Sequence, residues 1–283
     1  MHQIYIASAV TTIFTFLLAG AFIRWRSRHE DREFLLKLML MELPMAFIAF
    51  YLIRMPVIDG LFRFVFGHDQ GVYMFMKNFY APLTEEPAKI FPLVFPFVRK
   101  KITKENFAAA AMALGLGFGL GEIWFVGRFI AESTMPAYPW YQYTGFMNER
   151  FMVCIIHGGM TAFVLSRPKG SLLLGLLGGM LLHFAGNFPI YLSAIDYGAL
   201  GKETWQVILQ AWIALFFVGI ILLLVRFSIG SLKVGKFFYG NSVCPECGLE
   251  YSAPLIAVNW VTRRYERCPG CKKWHWVKTW KRK

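Results

Sequence analysis

Long apolar windows alternate with short polar gaps along most of the chain. Seven windows read as helical spans, at residues 4–23, 34–53, 72–98, 107–131, 149–165, 171–192 and 204–225. Most hold around 20 residues, the length that crosses about 30 Å of hydrocarbon at 1.5 Å per residue. Residues 55–66 are apolar but short, with Arg54, Asp59 and Arg63 interleaved, and read as an interfacial or re-entrant segment. Near Phe238 the pattern stops, and residues 241–283 are polar, basic and cysteine-bearing. The expected architecture is an all-α polytopic membrane protein of about seven transmembrane helices over residues 1–230, followed by a small separate domain over 241–283.

Composition agrees with this pattern. The 283 residues are 57% hydrophobic and 17% charged, where soluble domains carry about a quarter charged residues. The net charge of +13 does not by itself mean nucleic acid, because the basic residues fall in alternate gaps. Arg24, Arg26, Arg28 and Arg32 follow the first window. Arg99, Lys100, Lys101 and Lys104 follow the third, Arg167 and Lys169 the fifth, and Arg226, Lys233 and Lys236 the last. Residues 132–148 carry no Lys or Arg, and 196–203 carry only Lys202. The positive-inside rule then predicts a multi-pass cell-membrane protein with its N-terminus outside and its C-terminal domain cytoplasmic. The first window lacks a basic leader and is followed directly by arginines, so it is expected to be a retained anchor.

The cysteines sit in "CPECG" (Cys244, Cys247) and "CPGC" (Cys268, Cys271), a C-x2-C, x20, C-x2-C arrangement. Each pair has Pro and Gly beside it, as tight turns require. Four thiolates in that spacing suit one structural zinc ion with no open coordination position. The set resembles a zinc ribbon. Two disulfides are the alternative, which a reducing cytoplasmic location disfavours. The tail "KKWHWVKTWKRK" alternates bases with Trp274, Trp276 and Trp280. It suits nucleic acid or an anionic leaflet, and tethering to the membrane favours the lipid bilayer as partner. His275 reads as a surface histidine.

A charge at mid-bilayer costs roughly 2.5–3.5 kcal/mol on insertion scales, so charged residues inside spans mark a site or a partner. Those well inside the windows are Glu42, Lys77, Glu85, Glu86, Lys89, Glu122, Arg128, His157 and His183, with Cys154 and Asn187 as further polar candidates. Counting from the cytoplasmic ends at 1.5 Å per residue puts Glu85 about 20 Å, Glu122 about 22 Å, His157 about 13 Å and His183 about 18 Å deep. Four windows thus place polar groups at similar depth, which predicts one shared cavity. Glu85 and Lys89 lie four residues apart, on one helix face. "LGLGFGLGE", "HGG" and "GLLGGMLLH" supply small residues for close helix approach. Pro82 and Pro87 are expected to loosen the helix around the carboxylates. Blander roles are open to several of these. Lys89 can simply neutralise Glu85 or Glu86, Glu42 beside Pro44 can be a structural hydrogen-bond partner, Thr161 can bond backbone, and Cys154 can be a small apolar filler rather than a nucleophile paired with His157.

Carboxylate and histidine together suit general-base activation of water, and histidine or asparagine can donate to a developing oxyanion. The set fits hydrolysis of a peptide bond within the membrane. It also fits a proton relay in a transporter or channel. A catalytic zinc held by His157, His183 and a glutamate is a third chemistry, although no H-E-x-x-H is present. A non-catalytic sensor signalling through the ribbon is a further alternative.

"EEPAK" (Glu85–Lys89), "FGLGE" (Phe118–Glu122), "HGG" at His157 and "HFAGN" (His183–Asn187) together resemble the PrsW family of intramembrane proteases. That family is related to the CAAX prenyl endopeptidases and bacteriocin-processing enzymes. Lys89 in place of their later arginine resembles the PrsW branch, and Val153 stands where the CAAX enzymes carry Phe. The resemblance implies a glutamic-type endopeptidase needing no metal at its catalytic site. Glu85 would be the general base working with His183, His157 and Asn187 would stabilise the oxyanion, and Glu86, Lys89 and Glu122 would orient and tune the base. It also implies a membrane-embedded protein substrate, such as an anti-sigma-factor-like or prenylated protein.

Overall fold

The computed structural model describes residues 2–66, 70–133, 138–166, 172–229, 241–254, 257–260 and 262–278. The protein is mostly helical and separates into two compact units, Met1–Leu224 and Val225–Lys283.

The helices are α1 (Gln3–Arg26), α2 (Arg32–Phe47), a π-helix (Ile48–Asp59), α3 (Gly60–Phe66), α4 (Gln70–Lys89), α5 (Pro96–Arg99), α6 (Phe107–Glu132), α7 (Thr144–Leu165), α8 (Leu172–Ala194) and α9 (Lys202–Ile229). Five runs are long and apolar enough to cross a membrane: Gln3–Arg26, His29–Val57, Phe107–Glu132, Leu172–Ala194 and Lys202–Ser228. Two of the seven expected spans fall short of that standard, although both are helical. Helix α4 carries Glu85, Glu86 and Lys89, and α7 carries Glu149, Arg150 and His157. The charged side chains that define the site are what make these two helices less apolar.

Two boundaries differ from expectation. The window at 72–98 is not one helix, because α4 ends at Lys89 and is followed by a 3-10 turn at Phe91–Val94 and then by α5. Pro92 and Pro96 each occupy an early position of one of these short elements, where a missing N–H is harmless. The segment at 55–66 is helical and continuous with what precedes it: α2 runs through the π-helix into α3, with Pro56 accommodated inside the wider π turns.

Helix α6 is the centre of the first unit, and every residue from Ala108 to Leu120 is buried. Its alternating glycines form two ridges of small residues, each spaced by four. Gly115 and Gly119 face α7, where a Cβ on Gly115 would run into the backbone of Gly158 and one on Gly119 into Cys154. Gly117 and Gly121 face α2, where a Cβ on Gly117 would meet the Met39 carbonyl. Backbone contact on both sides is the small-residue packing that membrane helices use to come close. Phe118 packs beside these ridges with Ala46, Ala49, Phe50 and Ala88, and Phe50 stacks on Phe125 with centroids 4.5 Å apart.

The second unit holds two small antiparallel sheets. β1 (Asn241–Val243) pairs with β2 (Glu250–Ser252), and β3 (Val258–Trp260), β4 (Arg263–Arg267) and β5 (Trp274–Lys278) form a meander in that order. The two cysteine turns repeat one hydrogen-bond pattern. Cys244 N–H donates to Leu249 O and Gly248 N–H to Cys244 O, both at 3.0 Å. Cys268 N–H donates to Lys273 O and Lys272 N–H to Cys268 O, again at 3.0 Å. Gly248 (φ 69°) and Lys272 (φ 63°) occupy the same left-handed position in the two turns, a conformation that glycine adopts freely and lysine does not.

Candidate functional site

Glu85, Glu86 and Lys89 lie on the last turns of α4, Glu122 on α6, His157 on α7 and His183 on α8. All except Glu122 are buried, and the side chains form one connected network. Arg54 Nη1 donates to Glu85 Oε1 at 3.1 Å. His183 Nε2 lies 3.7 Å from Glu85 Oε2, and His183 Nδ1 lies 2.6 Å from Glu86 Oε1. Lys89 Nζ donates to Glu86 Oε1 and lies 3.0 Å from His157 Nδ1. His157 Nε2 is 2.8 Å from Glu122 Oε2, and Arg150 Nη1 donates to Glu122 Oε1 at 2.8 Å. Arg150 Nη2 reaches Glu149 at 2.6 Å.

The connections fix proton positions. An ammonium only donates, so His157 Nδ1 accepts from Lys89 and the ring proton sits on Nε2, directed at Glu122. The rings of His157 and His183 meet edge to face with centroids 6.0 Å apart. Phe118 shields the other side of His157, at 5.2 Å, and lies under the Lys89 ammonium. Glu85, Glu86 and Glu122 are matched by Arg54, Lys89 and Arg150, so each of these three carboxylates has a cation in contact. Such matching is what allows ion pairs to persist away from water.

Of the two carboxylates open to it, Lys89 pairs with Glu86, three residues away, and Glu85 is taken by Arg54. Arg54 and Arg150 were missed as members of the site. Arg150 lies seven residues before His157, two turns along the same helix face, and that spacing was legible. Arg54 was not, because its approach depends on the π-wound turns, where its guanidinium lies over Phe50 and Tyr80 at 5.1 and 5.3 Å. Tyr80 in turn donates to Asp59 at the end of the π-helix.

Asn187 is half-buried one turn beyond His183 and makes no side-chain hydrogen bond among the described residues. Both nitrogens of His157 are occupied by protein partners. Glu42 is fully buried, and neither carboxylate oxygen has a partner among the described residues, so it is not the hydrogen-bonded group its position suggested. Thr161 bonds the His157 carbonyl at 2.8 Å. Cys154 packs on Gly119 as an apolar filler. Arg128 pairs with exposed Glu132 at 2.7 Å, outside the network. The Lys77 side chain, like Arg167, Lys169, Lys233, Lys236 and Trp280, lies outside the described residues.

The second unit holds a separate donor cluster. Cys244, Cys268, Cys271 and His275 present ligand atoms within 4.8 Å of one another and are positioned to hold a metal ion. Sulfur–sulfur distances are 3.7 Å for Cys244–Cys271 and for Cys247–Cys268. The edge of a tetrahedron with metal–sulfur bonds of 2.3 Å is about 3.8 Å, so the spacing fits one tetrahedral ion. Burial disfavours a thiolate at Cys244, but the backbone N–H groups of Cys247 and Glu246 outweigh it and bring this thiol down to about 6. Although a backbone N–H from Lys273 favours its thiolate, Cys271 is pushed up to about 11 by burial and its sulfur neighbours. His275 is not a surface residue. It is 8% exposed, with Nε2 at 3.2 Å from Cys244 Sγ. The alternating strand pattern of Trp274–Lys278 carried this signal, since Trp274 and Trp276 face outward and His275 and Val277 inward.

No family model, curated protein or solved structure matches the chain.

Proposed function

We infer that the helical unit is an intramembrane endopeptidase in which glutamate and histidine activate water. The observation that carries this reading is the pairing of Glu85 and His183. With Nδ1–H directed at Glu86, the His183 ring presents the Nε2 lone pair to Glu85 Oε2, 3.7 Å away. Two acceptors at that separation do not bond each other. A single water can donate one hydrogen to each, because two ~2.8 Å sides close over a 3.7 Å base. Removal of one proton by Glu85 leaves a hydroxide equivalent to attack the carbonyl carbon of a peptide bond. Collapse of the tetrahedral intermediate breaks the C–N bond, and the proton held by the site passes to the leaving amine.

The other residues take supporting roles. Glu86 holds the His183 tautomer, and Lys89 neutralises Glu86. Glu122 and Arg150 hold His157 against Lys89. The amide of Asn187, which has no side-chain hydrogen-bond partner among the described residues, is the donor for the oxyanion. This arrangement agrees with the resemblance to the PrsW family. The substrate is then a membrane-embedded protein, the N-terminus lies outside, and the second unit is a cytoplasmic ribbon that holds structural zinc near the inner leaflet. No metal takes part in hydrolysis.

Comparative proteomics of membranes carrying wild-type protein or Glu85→Gln is the test, followed by cleavage of the identified substrate in detergent. Glu85→Gln is expected to lower turnover on the order of 10²-fold or more. His183→Ala should do similar damage, and the double variant scarcely more, since groups acting as a unit are not additive. Full cleavage by folded Glu85→Gln overturns the reading. One observation favours a second reading, a proton relay in a transporter. The contacts run without interruption from Glu86 through Lys89 and His157 to Glu122. Proton-coupled flux in proteoliposomes, abolished by His157→Ala without any cleavage activity in wild type, would establish it instead.

A further inference from the structure

The metal cluster offers more donors than a tetrahedral ion can use. Cys244, Cys268, Cys271 and His275 form one set of four, with ligand atoms all within 4.8 Å of one another. Cys247, whose sulfur lies 3.7 Å from Cys268, completes a second set with the same three cysteines. The Cys244 Sγ–His275 Nε2 distance of 3.2 Å is near the ~3.6 Å edge expected when a 2.3 Å sulfur and a 2.0–2.1 Å nitrogen share a tetrahedral ion. The two candidates for the fourth corner are held differently. Cys247 is exposed, on the turn that ends at Gly248. His275 is buried on β5, in register with Glu266 of β4. Its neighbours Trp274 and Trp276 flank Tyr265 on the opposite face, with centroids at 5.5 and 5.2 Å, and this keeps the imidazole turned toward the sulfurs.

We propose that Cys244, Cys268 and Cys271 are fixed ligands of one tetrahedral metal ion, and that Cys247 and His275 exchange at the fourth corner. Cys247 supplies a fourth thiolate, and His275 takes over when that thiolate is blocked or removed. The site therefore keeps its ion when its one solvent-exposed ligand is lost. This inference does not depend on the hydrolytic reading of the helical unit.

The test uses the full chain in detergent, loaded with Co²⁺ as a spectroscopic stand-in for zinc. Wild type is expected to show the sulfur-to-cobalt band of four thiolates. Cys247→Ser should retain about one metal per chain, with a weaker band and d–d transitions of three sulfurs and one nitrogen. His275→Ala should retain the four-thiolate spectrum. The double variant should bind at least ~10-fold more weakly than either single one. Cys247→Ser losing metal as completely as the double variant overturns the proposal. So does a wild-type spectrum of three thiolates and one nitrogen, because His275 would then be the resident ligand. Folding defects in the variants are bypassed by alkylating the folded, loaded wild type. Modification of Cys247 with the metal retained and the spectrum shifted supports exchange, and stoichiometric metal release on that modification overturns it.

Discussion

The protein gathers ionisable side chains in two places by opposite means. In the second unit, each pair of cysteines is presented by one turn, and backbone hydrogen bonds within six residues set the geometry. In the helical unit, the carboxylates, histidines and cations arrive from the π-helix, α4, α6, α7 and α8, and are fixed by one another. The first arrangement is local. The second is non-local and already balanced, with a cation on each of Glu85, Glu86 and Glu122. A local site should therefore collapse when its ion is removed and leave the rest of the chain unaffected. A balanced one should tolerate removal of a complete pair better than removal of half of it.

The sharpest test of this contrast is metal removal. Cys244→Ser combined with Cys268→Ser removes two of the shared donors, and the second unit should lose its folded state. In small domains held together by structural zinc, apparent binding of about 10–16 kcal/mol is folding free energy. Near-ultraviolet circular dichroism of its aromatics and proteolysis after Val225 should report the loss, while the helical signal of the first unit persists. Simultaneous melting of the helices would break the comparison.

A smaller effect is expected inside the helical unit. Lys89→Met leaves Glu86 without its ammonium, and breaking a buried pair costs about 3–5 kcal/mol. Lys89→Met with Glu86→Gln should recover much of that loss, as read from unfolding in detergent. Strict additivity would show that the two charges do not act as a pair. Gly115→Ala tests the close approach of α6 and α7. Its Cβ would strike the Gly158 backbone, and overpacking of this kind costs typically 1–3 kcal/mol. Lys37→Ala sets the lower limit. The Lys37–Glu33 pair is exposed at 2.5 Å, and its loss should leave the unfolding transition unchanged.

The same contrast explains what could be read from the sequence. The cysteine spacing announced the donor cluster of the second unit because one short motif contains each turn. His275 was overlooked because the tail was read by composition, as bases and tryptophans, and not by strand alternation. The helices at 4–23, 107–131, 171–192 and 204–225 were legible as apolar runs to within a few residues of their ends. The convergence of Glu85, Glu122, His157 and His183 followed from depth arithmetic, since similar depth on neighbouring helices brings groups together. Which cation meets which carboxylate did not follow. Lys89 pairs with Glu86 and not with Glu85, and Arg54 meets Glu85 from within the π-wound segment Ile48–Asp59. Neither property is a pattern of residue types.

The order of charges along the chain also bears on assembly during synthesis. Arg54 leaves the ribosome before Glu85, so that carboxylate meets a partner already made. Glu86 and Lys89 emerge almost together and neutralise each other within one helix turn. Glu122 differs, because both of its partners, Arg150 and His157, come later. Until α7 emerges, the central helix of the unit carries a carboxylate with no cation of its own. A nascent chain stalled before Thr144 should thus expose α6 to quality-control proteases, and one stalled after Leu165 should not.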